Sequence, residues 1–365
     1  MELWREYSHE FPVARNLTYL NHAAVAPLPA SVAQAMADLA ADARDWGSFH
    51  YDAWLAAYDG LRGETAKLIN ASPNEIAIVK NTSEGIATIA LGLDWRPGDV
   101  VVAFKEEFPA NYYPWLKLEP RGVKIRWRSI YDSLDAIDEA AAGARLLAIS
   151  YVNYLTGHRV DLNALGEICQ RRGCFFLVDA IQGMGVFPID VERARIDALS
   201  ADGHKWLLGP EGCGVLYVRQ AVQDQVEPVE FGWTNVAAFA DYASRDMTLR
   251  GDAGRYEPGT LNPIGIFGLR ASMALINRIG VEAISAAVSA RARMIASGAA
   301  AKGYEVLPAD SGIVTVRKEG VDSRLIVKRL REHAILAAPR QGYVRTSPHF
   351  YVSPESIERA LELLP

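Results

Sequence analysis

The sequence predicts an α/β protein: a large domain built on a mostly parallel sheet, followed by a smaller α/β domain at the C-terminal end. Three observations predict it. Short β-rich runs recur at 76–80 (IAIVK), 100–104 (VVVAF), 146–152 (LLAISYV), 175–180 (FFLVDA) and 214–218 (GVLYV). Helical patterns lie between several of these runs, the alternation expected where crossover helices join parallel strands. After about residue 264 the texture changes to two long helical patterns and then shorter elements.

Taken in order, the first helix follows Pro29 and carries Val32, Ala35, Met36 and Leu39 on one face. A second covers 54–69, where Trp54, Leu55, Tyr58, Leu61, Leu68 and Ile69 line up. Leu162, Leu165, Ile168 and Cys169 mark a helix between two strands. Helical patterns at 266–279 and 281–302 lead to strands near 304–307 and 312–317. A helix near 322–333 follows, then strands at about 335–338 and 343–346. The last helix opens with Ser353 as N-cap and Pro354 at the first helical position. The expected division is a large domain over 17–265, with 1–16 and 266–365 in the small domain.

At 365 residues, half of them hydrophobic and 22% charged, the chain has material for sizeable cores. Its net charge of −6 disfavours a nucleic-acid or anionic-membrane partner. Three cysteines (Cys169, Cys174, Cys213) are too few for a disulfide framework. The N-terminus lacks the apolar segment of a signal peptide, and no run of about 18 apolar residues occurs. A soluble, cytoplasmic protein is the expectation. Phosphate-loop, H-E-x-x-H and G-x-S-x-G motifs are absent, and the seven histidines have no metal-ligand spacing, so no metal is expected.

Three stretches carry chemistry. In Ser200-Ala201-Asp202-Gly203-His204-Lys205-Trp206, a lysine sits among apolar and glycine residues after a strand-like run. Desolvation would lower its pKa and make it a nucleophile; a surface lysine is the ordinary alternative. VDAIQ (178–182) is an apolar strand ending in Asp179, with Gln182 three residues on. A carboxylate at the carboxyl edge of a parallel sheet faces the binding crevice and needs a cationic partner; helix capping is its alternative. Asn81-Thr82-Ser83-Glu84-Gly85 places hydroxyls and free amides at a helix N-terminus, suited to a phosphate. Each signal is weak alone. Their order on one α/β scaffold is much stronger.

That combination resembles the class-V aminotransferase superfamily of pyridoxal 5′-phosphate (PLP) enzymes, which includes cysteine desulfurases, kynureninases and isopenicillin-N-epimerase-like proteins. The resemblance runs from YLNHAAVAPLP (19–29) to YVRTSPHFY (343–351). It implies the aspartate-aminotransferase-like fold. Lys205 resembles the lysine that links to the cofactor and then moves the Cα proton. Asp179 resembles the partner of the pyridine nitrogen and Gln182 the donor to the phenolic oxygen. Asn153 matches an asparagine near the same edge. Thr82 and Ser83 match the phosphate pair, with His204 beside them, and Phe108 the ring over the cofactor. Phe108 has an ordinary core position as its alternative. Thr260, in YEPGTLNP (256–263), matches the position that reaches the neighbouring subunit's phosphate, implying a homodimer with shared sites. Arg345 matches the arginine that clamps the substrate carboxylate. Asn21, His22, Tyr112 and Trp233 are candidates for contacting the substrate.

Two departures qualify the resemblance. Asp202 stands where desulfurases carry a serine, and an anion is out of place beside a phosphate; it is expected to orient a neighbouring donor. Desulfurases hold a nucleophilic cysteine on a loop before the carboxylate arginine, whereas ILAAPRQGYVR (335–345) is short and has none. The cysteines present are expected to be buried structural residues. The expected function is therefore a PLP enzyme acting at the Cα–amino centre of an amino acid or amine, epimerase-like or carbon–sulfur-lyase-like. An aminotransferase is the alternative, followed by a cysteine desulfurase or a non-catalytic phosphate-ligand binder.

Overall fold

The computed structural model describes residues 2–308 and 310–365. Seven strands form the central sheet: β1 (Ile76–Val79), β2 (Val100–Phe104), β3 (Lys124–Arg128), β4 (Leu146–Ser150), β5 (Phe175–Asp179), β6 (Ala198–Asp202) and β7 (Gly214–Val218). Their order across the sheet is β1-β7-β6-β5-β4-β2-β3. β7 alone is antiparallel to its neighbours, so the other six strands all point the same way.

The apolar runs form buried strands because both sheet faces are covered. Successive residues alternate between two cores: Val102, Phe104, Leu147, Ile149, Phe176 and Val178 on one side, and Val101, Ala103, Leu146, Ala148, Phe175 and Leu177 on the other. The sequence reading did not pick out β3 as a strand. Its residues KIRWR alternate charge with apolar side chains because it is an edge strand and half exposed. The helix Ala30–Trp46 and the helix Tyr51–Ile69 pack against the helix Pro263–Ile279 on the first of these faces.

A second, four-stranded sheet lies in the C-terminal part: β8 (Glu305–Val306), β9 (Val314–Arg317), β10 (Ala338–Arg340) and β11 (Tyr343–Thr346), in the order β10-β11-β9-β8, all antiparallel. The strand expected at 335–338 divides in two. Ile335–Leu336 pairs with Thr18–Tyr19 near the N-terminus, and only the residues from Ala338 join the sheet. Ser353 caps the last helix, Pro354–Glu362, by accepting from the Ser356 N–H. At the other end of the chain, Phe11 stacks on Tyr351 with ring centroids 3.8 Å apart, tying the first residues to the last strand-helix connection.

Candidate active site

Parallel strands deliver the residues that follow them to one edge of the sheet, and here five carboxyl ends converge there. Beyond β1, Asn81 caps the helix Thr82–Gly92, its side chain accepting from the Glu84 N–H at 2.9 Å. This leaves the first-turn amides and the hydroxyls of Thr82 and Ser83 facing a cavity. Thr82 Oγ1 is buried without a partner among the described residues. Gly85 lets this helix lie close to β6, since a Cβ there would fall 2.2 Å from Ser200 Oγ.

Beyond β2 comes Phe108. It is 46% exposed, which rules out the ordinary core position; its ring stands 5.7 Å from Lys205 Nζ on the cavity wall. β4 ends in Ser150, and β5 in Asp179, which is 2% exposed. Burial pushes the Asp179 carboxyl up to about 6, against an opposing hydrogen bond from the Ile181 N–H and the nearby Lys205 charge. Gln182 donates to the Ala23 carbonyl and accepts from Trp206 Nε1, leaving one amide N–H uncommitted.

β6 ends in Asp202 and leads to His204 and Lys205. Burial lowers the Lys205 amine to about 8, although Asp179 pulls it upward; Arg345 and Arg340 lower it further. His204 Nδ1 lies 3.1 Å from Asp202 Oδ2 without forming a hydrogen bond, and among the described residues neither Nδ1 nor Asp202 Oδ1 has a hydrogen-bond partner. Asp202 thus stands beside His204 without bonding to it.

From β11, Arg345 closes the cavity opposite the sheet. It is 2% exposed, donates from Nη1 to the Tyr154 carbonyl at 2.6 Å, and leaves Nε buried and unpartnered among the described residues. Arg340, which the sequence reading passed over, lines the same cavity. Its signal was its place in the shortened 335–345 segment. The cavity holds about 440 Å³, within the range for small-molecule sites. A second hollow of about 430 Å³ opens at the amino edge of the sheet, but its arginines already have carboxylates: Arg145 with Asp99, Arg195 with Glu167, Arg219 with Asp197. Uncommitted charge is found at the carboxyl edge.

Several expected residues have other tasks. His22 is fully buried, and both ring nitrogens are used. Nδ1 faces the Ser347 carbonyl at 2.8 Å and must donate, so Nε2 accepts from the Tyr351 hydroxyl at 2.8 Å. Burial holds its pKa down at about 4. It is a structural histidine, not a substrate contact. Asn21 pairs with Ser347, and the cavity wall is formed instead by Ala23 and Ala24. Asn153 is buried and does not line the cavity: its amide donates to the Glu106 carbonyl and accepts from Leu155 and Thr156, fixing the loop. Tyr112 stacks on Trp127, and Trp233, 50% exposed, packs with Tyr242. Neither lines the cavity. Thr260 is exposed in a separate depression with Lys80, Glu84 and Glu230.

The family profile of the class-V aminotransferases matches residues 18–348. The chain belongs to that family. It is 31% identical to a probable cysteine desulfurase of Methanothermobacter thermautotrophicus, over 97% of this chain and 96% of the relative. It is 29% identical to the uncharacterized aminotransferase YcbU of Bacillus subtilis, over 98% and 96%. The apo structure of a cysteine desulfurase from Thermococcus onnurineus superposes with a TM-score of 0.92 at 26% identity, covering 100% of this chain and 97% of that one.

Class-V aminotransferases are PLP enzymes, and PLP is the cofactor of this chain. The residues present fit it. An orphaned Thr82 hydroxyl and helix amides await a phosphate, a buried Asp179 awaits a protonated ring nitrogen, and a low-pKa amine stands near both. All three cysteines are buried, and none lines the cavity. Burial pushes the Cys213 thiol up to about 12, and Cys169 lies above the ordinary thiol range beside Cys174. No single helix among the described residues is long and apolar enough to cross a membrane.

Proposed function

We propose that the chain is a PLP-dependent carbon–sulfur lyase acting on an α-amino acid with sulfur at Cβ. The observation that carries an amino-acid substrate is Arg345: a buried guanidinium facing Lys205 with no carboxylate of its own. A free carboxylate would satisfy it. The sulfur chemistry is supported by the 31% identity to a probable desulfurase. The absence of a cysteine from the cavity wall favours release of the sulfur on a small molecule over transfer to a protein thiol.

Bound PLP supplies an electron sink that makes the Cα proton removable. The chain's residues do the rest. Thr82, Ser83, the helix amides and His204 would hold the phosphate. Asp179 would keep the ring nitrogen protonated, Gln182 would donate to the phenolic oxygen, and Phe108 would stand beside the ring. Lys205 would anchor the cofactor and, once the substrate amine has displaced it, its freed amine would accept the proton from Cα. The net reaction consumes water and yields a thiol, a 2-keto acid and ammonium.

Product analysis tests this. With an S-substituted cysteine, a lyase gives thiol and pyruvate in equal amounts. Formation of alanine would point to a desulfurase, and a requirement for an added keto acid to an aminotransferase; either overturns the lyase reading. Replacing Cys169, Cys174 and Cys213 together by alanine should leave the chemical step intact and cost about 1 kcal/mol of stability each. A persulfide trapped on any of them during turnover would contradict this.

We also propose a homodimer in which Thr260 reaches the partner's phosphate. Thr260 is exposed, away from its own chain's cavity, and Phe231 and Trp233 stand exposed nearby. Mixing Lys205→Ala with Thr260→Ala chains should then create one doubly damaged and one undamaged site per heterodimer. Recovery of activity above either parent is the expected outcome. A fully active monomer would refute sharing.

A further inference from the structure

We propose that Arg340 reads a second anion on the substrate, so that the site selects α-amino acids whose side chain ends in a carboxylate or an oxidised-sulfur acid. This rests on the reading that Arg345 holds the α-carboxylate.

The hairpin formed by β10 and β11 turns through Gln341 and Gly342, both at positive φ (47° and 85°), as in the tight two-residue turns that match strand twist. In its register Arg340 faces Tyr343 and Ala338 faces Arg345. Strand alternation therefore puts Arg340 and Arg345 on one face of the sheet, as diagonal neighbours about 7–8 Å apart. The turn and β11 are both fastened to one residue. Gln341 donates to the Tyr154 hydroxyl at 3.0 Å, and Arg345 to the Tyr154 carbonyl. Tyr154 in turn packs edge-on against Phe108. The hairpin that carries both arginines is thus held against the cofactor wall.

The charges in the cavity decide what they are for. Its cationic side chains are Lys205, Arg340 and Arg345, and its carboxylates are Asp179 and Asp202. Asp179 is committed to Lys205 and the ring nitrogen, and Asp202 lies against His204. The phosphate belongs at the Thr82 end. An α-carboxylate would neutralise Arg345. Arg340 remains, and its one hydrogen bond among the described residues goes to the carbonyl of its neighbour Pro339. Its charge acts unfavourably on both Arg345 and Lys205. Arg340 is half-buried at the cavity wall, and a guanidinium there without a carboxylate of its own is free to pair with an anion arriving with the ligand.

Spectral titration of the PLP-loaded enzyme tests this with matched pairs: L-aspartate against L-asparagine, and S-carboxymethyl-L-cysteine against S-carbamoylmethyl-L-cysteine. The anionic member of each pair should bind about ten- to a hundredfold more tightly, the range for a hydrogen bond to a charged group. In Arg340→Gln the ratio within each pair should collapse to near one, and Arg340→Lys should keep a smaller preference. Equal binding of both members to the wild type overturns the inference. So does a loss in Arg340→Gln that falls equally on both members, which would assign Arg340 to the α-carboxylate. If no amino acid perturbs the bound cofactor's spectrum, the amino-acid reading itself fails, and this inference with it.

Discussion

Replacing Lys205 by alanine should leave PLP bound through phosphate and ring contacts while turnover falls by at least about 10²–10⁴-fold, the range for losing a positioned proton-transfer group. Borohydride reduction of the wild type followed by peptide mapping should find the pyridoxyl group on Lys205, and the variant should carry none. A label on another lysine would refute the assignment. The environment adds a pH test with a definite sign. Burial lowers the Lys205 amine to about 8, with Asp179 opposing the shift. Capture of PLP by the cofactor-free protein should therefore quicken as pH rises toward 8 and then level off, as the neutral amine becomes the main form. A surface lysine would keep gaining up to its ordinary value near 10.4. Removing the opposing anion in Asp179→Asn should move that plateau to lower pH. An unmoved plateau would show that Asp179 does not act on the amine.

The sheet was legible wherever burial on both faces made the strands continuous apolar runs, as at β2, β4 and β5. It was illegible at β3, whose edge position allows charges to alternate with apolar groups. The site was legible for a related reason. Residues at and beyond the ends of parallel strands must face one edge, so Asp179 at the end of β5 and Lys205 after β6 could be placed from order alone. Residues whose role depends on what the rest of the chain places against them were not readable. His22 looks like a pocket residue in YLNHAAVAP, yet Ser347 and Tyr351, more than 300 positions away, satisfy both its nitrogens. Asn153 spends its amide on its own loop. Arg340 went unnoticed because its meaning lies in having no ion-pair partner among the described residues, and an arginine's partners cannot be counted from sequence.

Arg345 gives the second large effect and tests the substrate class most directly. Its strand neighbour Val344 packs into the apolar core, while Arg345 lines the cavity. The ordinary alternative, an arginine paired with a surface carboxylate, does not describe it: it is buried, and the charge that acts on it is another cation, Arg340. Burial brings its pKa down to about 10, which still leaves it protonated at neutral pH. A charge kept in such a place binds an anion that the chain does not supply. Arg345→Ala should therefore reduce kcat/KM for the amino acid by about 2–5 kcal/mol, the range for truncating one partner of a buried charge pair. Arg345→Lys should already be harmful, because a point charge cannot reproduce two parallel hydrogen bonds to a carboxylate. Cofactor binding should hardly change in either variant, since the phosphate and pyridine contacts come from the central sheet. An unaffected kcat/KM in Arg345→Ala, with PLP still bound, would mean that the substrate is an amine without a carboxylate or that another residue holds it.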